Sequence, residues 1–231
     1  MHRPSAKVGL LILTTGLLVA CGNRLPDTPA GYVAQYGIAD PAPRSFKYCF
    51  GHGCRESMRV SLDGRQWREI RDLLSEPAPD AAAERRLLSR AVAVYERHAS
   101  VQAGTQDDGG IDGWFVNAHR PGQLDCVDES VNTTTLLLML EGEGLLRWHD
   151  VAGPAARGYL IDRWPHQTAV IVERAGGGAY ALDSWFYANA KPAAVVPLTV
   201  WRDGWSPGDP LPPATVDSYP ASAASTKSNR S

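Results

Sequence analysis

Thr168-Ala169-Val170-Ile171-Val172-Glu173, then Arg174-Ala175-Gly176-Gly177, then Ala179-Tyr180-Ala181-Leu182-Asp183 reads as two strands joined by a turn. The first segment is β-branched and apolar, as a buried strand should be. The glycines supply the turn. With a four-residue turn, Glu173 faces Gly178 and Thr168 lies opposite Asp183. Side chains alternate along a strand, so His166, Thr168 and Asp183 share one face. His166 and Asp183 are then diagonal neighbours roughly 7 Å apart, and their side chains can meet. A five-residue turn without a bulge would shift the register by one and send Asp183 to the other face.

Upstream lies Asp125-Cys126-Val127-Asp128-Glu129-Ser130, the start of a helix expected over residues 126–140. Val127, Val131, Thr134/Thr135 and Leu138 recur at helical spacing. Asp125 suits the N-cap, with Asp128 three residues on. A thiol at a helix N-terminus feels the positive end of the dipole, which favours thiolate. Three carboxylates in the same turn push the other way, so Cys126 needs a cationic partner. A buried structural cysteine is the plainer alternative.

The remaining elements follow the same periodicities. Residues 48–62 form an extended entry in which Met58 to Leu62 alternate as a strand would, and residues 66–74 a short helix. Pro77 and Pro79 end that helix, and Asp80 caps a longer one over 81–100. The loop 104–110 carries two carboxylates but lacks the ligand spacing of a calcium loop. Residues 145–150 and 158–162 look like strands or strand edges, and 194–201 like a last strand. Helices packed on a small antiparallel sheet, with the cysteine helix against its face, make an α+β fold.

At 231 residues and 44% hydrophobic the chain suits one domain, without internal repeats. A formal charge of -2, with neither a basic stripe nor a base-stacking motif, argues against nucleic acid as partner. Arg3 and Lys7 precede an apolar run, Val8 to Ala20, too short to span a bilayer as a mature helix. The run ends Leu18-Val19-Ala20-Cys21-Gly22, which resembles the lipobox of bacterial lipoproteins. That resemblance implies a signal peptide over 1–20, lipid on Cys21, and a cell-envelope location, with Gly22 pointing to the periplasmic face of the outer membrane. Pro26, Pro29, Pro41 and Pro43 make residues 21–45 read as a tether. One domain over 46–205 and a disordered Pro/Ser-rich tail over 206–231 complete the organisation.

Cys49 and Cys54 flank two glycines and, in an oxidising compartment, read as a disulfide loop. A metal site there would have Cys49, His52 and Cys54 but no fourth ligand, so neither metal nor cofactor is expected. Cys126 is left as an odd thiol.

An imidazole beside a thiol ionises it and later protonates the leaving group. A carboxylate on the other ring nitrogen fixes the tautomer. Cys126, His166 and Asp183 supply those roles in order. Gln123 is the first candidate for a side-chain oxyanion donor beside the Cys126 N–H, with Trp114 and Asn117 behind it. His149 and His119 are alternative bases. Cysteine at a helix start, a strand-borne histidine before Ala169-Val170-Ile171-Val172, and an aspartate in Tyr180-Ala181-Leu182-Asp183-Ser184-Trp185 together resemble the transglutaminase-like branch of the papain-type fold. Bacterial transglutaminase-like cysteine proteinases are the nearest subset. The similarity covers residues 87–197 and implies Cys126 as nucleophile, His166 as general base and acid, and Asp183 as the orienting carboxylate. Peptide or isopeptide hydrolysis is the expected chemistry. Transfer to an amine, or binding of a peptide or protein without catalysis, are the alternatives, and Trp185, Phe186, Tyr187, Trp201 and Trp205 would line a cleft under any of them.

Overall fold

The computed structural model describes residues 25–111, 119–158 and 165–211. The leader, Cys21, Trp114, Asn117, residues 159–162 of the strand edge expected over 158–162, and the tail from 212 lie outside them. Among the described residues no helix is long and apolar enough to cross a membrane.

The elements run α1 (Pro29–Ala34), β1 (Phe46–Phe50), β2 (Glu56–Val60), α2 (Gly64–Ser75), α3 (Ala81–Ala103), α4 (Cys126–Gly142), β3 (His149–Arg157), β4 (His166–Glu173), β5 (Ala179–Asp183), β6 (Ala194–Pro197) and α5 (Leu198–Arg202). β1 and β2 form an antiparallel pair, and β3-β4-β5-β6 a four-stranded antiparallel sheet. The fold is thus mixed α+β, with helices and two small antiparallel sheets.

Local chemistry sets the helix starts. Asp63 and Gln66 close a capping box on α2, and Asp80 accepts from the Ala83 N–H at the start of α3. Gly104 ends α3 in the left-handed conformation at φ 72°, which only glycine adopts cheaply. On α4, Asp125 accepts from the N–H groups of Val127 and Asp128, both at 3.0 Å, while the Asp128 side chain accepts from Asp125 N–H.

α4 lies in the middle of the molecule. Leu136, Leu137 and Leu140 pack with Leu88, Val92 and Tyr95 of α3 and with Val151, Ala169, Ile171 and Leu182 of the sheet. The opposite face of the sheet, through Ala152, Ala155, Val170, Ala181 and Val196, meets Phe186, Trp201 and Trp205. Both faces of β4 are buried, which is why its sequence is an unbroken apolar run rather than an alternating one.

The β4–β5 hairpin has the register read from the sequence. Ala169 pairs with Leu182 and Ile171 with Tyr180, and the Glu173 N–H donates to Gly178 O at 2.7 Å. Three other expectations change. A continuous strand β3 occupies residues 149–157, taking in the end of the strand edge expected at 145–150 and the whole gap before the one expected at 158–162. Its Ala, Gly and Pro content hides it, and its register shifts between Ala152 and Ala155, where Pro154 sits on an edge strand and costs no ladder bond. The strand expected over 194–201 stops at Pro197 and turns into α5. The tether expected over 21–45 is corrected in its described part. Tyr32, Val33 and Ile38 are buried in a cluster with Val131 of α4, so α1 belongs to the domain.

Candidate active site

Cys126 is a free, half-buried thiol at the first position of α4. It lines a cavity of about 280 Å³ together with Asp125, Val127, Arg157, Pro165, His166, Gln167 and Trp185 among others. The N-terminus of α4 ends where β4 begins, and the cavity opens at that junction.

His166 is the first residue of β4, and its Nε2 bonds Asp183 Oδ2 at 2.7 Å. Both side chains are almost fully buried. Rings of Trp185, Phe186 and Trp201 surround the imidazole, with centroids at 4.8, 5.3 and 5.3 Å. The His166 Nδ1 atom is buried and has no hydrogen-bond partner among the described residues. One ring nitrogen is therefore fixed by a carboxylate, and the other is left for a proton transfer.

The histidine and the cysteine approach from opposite sides of the sheet. His166 and Asp183 share a face with Phe186 and Trp201, whereas α4 packs on the other face. They line one cavity because both stand at the end of the sheet. No hydrogen bond joins Nδ1 to the thiol.

Burial pushes the Cys126 thiol up to about 12, and the charges of Asp125 and Asp183 add to the effect. The backbone N–H groups of Gln167 and of Cys126 itself pull the other way and lose. The resting thiol is protonated at neutral pH. The expected tension between helix dipole and carboxylates is thus settled on the side of burial and negative charge.

Gln123 does not reach the cavity. Its Nε2 donates to Asp107 O at 2.9 Å and its Oε1 accepts from Gly109 N–H at 3.2 Å, so the side chain braces the loop before α4. The oxyanion role expected for it is corrected to a structural one. Gln167, unremarked in the sequence, lines the cavity instead, and its side chain donates to the Tyr32 hydroxyl at 2.8 Å. Nothing local marked it, because the contact joins residues 135 positions apart.

Cys49 and Cys54 are joined by a disulfide, so neither is a metal ligand. Four successive residues of their loop, Gly51, His52, Gly53 and Cys54, have φ between 54° and 79°. The N–H groups of His52 and Cys54 converge on the Asp128 carboxylate at 2.8 and 2.6 Å, a small backbone nest around an anion. Asn132 holds both N–H and C=O of Cys49, at 2.7 and 2.9 Å. The disulfide loop is thereby docked on the first two turns of α4.

His149 has a carboxylate partner that the sequence did not reveal. Its Nδ1 meets Glu84 Oε1 at 2.9 Å, and its Nε2 meets Arg85. Burial pushes the Glu84 carboxyl up, but bonds from His149 and from the N–H groups of Arg147 and Trp148 win and hold it below its usual range. With Glu84 and His149 buried, this network ties α3 to β3. His119 is exposed, and His98 bonds Glu69 on the surface.

Compared with family models, with curated proteins and with solved structures, the chain finds no match.

Proposed function

We propose that this is a lipid-anchored cell-envelope protein with a papain/transglutaminase-like core that performs thiol-dependent acyl transfer on an amide. Hydrolysis of a peptide or isopeptide bond is the preferred outcome. One observation carries the reading: Cys126 and His166 line one cavity, with His166 bound through Nε2 to buried Asp183 and its Nδ1 unpartnered among the described residues.

With the thiol protonated at rest, a preformed ion pair is not the starting point. His166 Nδ1 takes the proton as Cys126 Sγ attacks the carbonyl carbon, and Asp183 steadies the resulting imidazolium. The Cys126 N–H faces the developing oxyanion. The imidazolium then protonates the leaving amine, and water or a second amine resolves the thioester.

A second reading rests on two specific observations. The raised thiol and the missing Nδ1–Sγ bond suit a binding module that keeps the cleft without the chemistry. Iodoacetamide labelling of Cys126, followed by peptide mapping across pH 6 to 9, separates the two. In the acyl-transfer reading the native protein labels at neutral pH and His166→Ala slows it by at least about 100-fold, the lower end of what a general base contributes. Equal, slow labelling of both proteins leaves the binding module.

A further inference from the structure

Asp183 Oδ2 accepts two hydrogen bonds, each 2.7 Å long: one from His166 Nε2 and one from the indole Nε1 of Trp201. Trp201 is fully buried, and its ring lies 5.3 Å from the imidazole. This contact depends on the turn at Pro197. In the β5–β6 register Asp183 pairs with Ala194 and Tyr180 with Pro197. Had the strand run on, Trp201 would lie seven residues beyond Ala194, roughly 23 Å along the ladder and past the end of β5. The switch into α5 (Leu198–Arg202) folds the indole back beneath Asp183. Arg157 fastens it there. Its guanidinium stacks 4.5 Å over the Trp201 ring and donates to the carbonyl oxygens of Trp201 and Trp205.

We infer that Trp201 is a positioning residue: its indole N–H anchors Asp183, and through that carboxylate it fixes the orientation of His166. A buried carboxylate bound by the imidazole alone would be free to turn about its own axis, and the ring would turn with it. A second, rigid donor on the same oxygen removes that freedom. Indole N–H donates only and does not titrate, so the donor side of this anchor is the same at every pH. The three rings around His166 further limit its rotamers and keep water from the Asp183 bond. The catalytic consequence of this role rests on the acyl-transfer reading. The positioning itself does not.

Trp201→Phe keeps the ring and deletes the N–H. In the full chain, NMR of the imidazole N–H proton of His166 reads the bond directly. Losing the competing donor should move that resonance further downfield, because Asp183 Oδ2 then serves His166 alone. Cys126 labelling should slow about tenfold, less than the 10²–10⁴ that a general base supplies, while His166→Ala slows it by at least about 100-fold. An unmoved resonance with undiminished labelling in Trp201→Phe overturns the proposal and leaves the acyl-transfer reading standing. Labelling that ignores His166→Ala sinks that reading, and the resonance alone then decides the role of Trp201. Should Trp201→Phe not fold, the native protein serves instead. There the Trp201 indole N–H should be protected from solvent exchange and should shift in Asp183→Asn; rapid exchange and no shift would overturn the proposal.

Discussion

Cys126 shows how opposing local influences are decided by magnitude. Its helix N-terminus favours thiolate by about 1 kcal/mol or less in an ordinary exposed setting. Burial, with Asp125 and Asp183 nearby, outweighs that and pushes the thiol to about 12. Asp125→Asn should therefore speed labelling at neutral pH by removing one charge while retaining a good N-cap. A slower rate in that variant would show that the cap, not the charge, governs the thiol. Gln123 offers the converse test. With its amide engaged by Asp107 O and Gly109 N–H, Gln123→Ala should cost roughly 1–2 kcal/mol of stability and leave Cys126 labelling unchanged. Urea denaturation and the labelling rate separate the two effects.

Among the elements, the disulfide hairpin and α4 form one unit. Asp128 accepts from His52, Cys54 and Asp125 N–H groups, and it is itself fully buried. Burial and the Asp125 charge raise its carboxyl to about 7 against the pull of those three donors. Asp128→Ala would strand donors on both partners and should destabilise the protein by about 2–4 kcal/mol, read as a fall in the urea midpoint. The five-residue spacing of the disulfide closes a short loop, worth about 2 kcal/mol on chain-entropy grounds. Cys49→Ser with Cys54→Ser should thus cost less than Asp128→Ala. The reverse order would mean that the covalent link, rather than the carboxylate, holds the loop on α4.

At the scale of the whole molecule, the interior contains acid. Glu96, Asp108 and Glu129 are buried together, with Glu129 accepting from Ser184 at 2.5 Å. Burial raises Glu96 to about 8, with the Asp108 charge adding to it against hydrogen bonds from the Ala190 N–H, Ser184 and Glu129. Burial raises Glu129 well above its usual range, and the Glu96 and Asp108 charges raise it further. Raised acids keep their protons in the fold while the unfolded chain gives them up, so the native state binds more protons between about 4.5 and 8. Stability should consequently fall as pH rises through that window, by an order of a few kcal/mol for Glu96 alone. Glu96→Gln should flatten the slope in urea titrations at pH 5, 6.5 and 8; an unchanged slope would assign the effect elsewhere. Glu84, held low, acts with the opposite sign and loses its contribution as pH falls through the acid range.

What could be read without the structure was whatever depends on near neighbours in sequence. The caps at Asp80 and Asp125, the extents of α3 and α4, the Cys49–Cys54 loop and the β4–β5 register all follow from spacing, turn length and the alternation of side chains. The register alone brought His166 to Asp183, because a four-residue turn and a period of two leave no freedom. What the tertiary structure decided was the environment of those residues. Tyr32 beside Gln167, Trp201 under Asp183, Asp128 in the disulfide loop and Glu84 on His149 join segments far apart in the chain, and no local periodicity encodes which of them will meet. Burial is likewise a property of the assembled whole, and it is burial that protonates Cys126 and the acids of the core. Sequence determined which groups are present and how each element begins and pairs; packing determined what each group touches and, through the low dielectric of the interior, which charges it keeps.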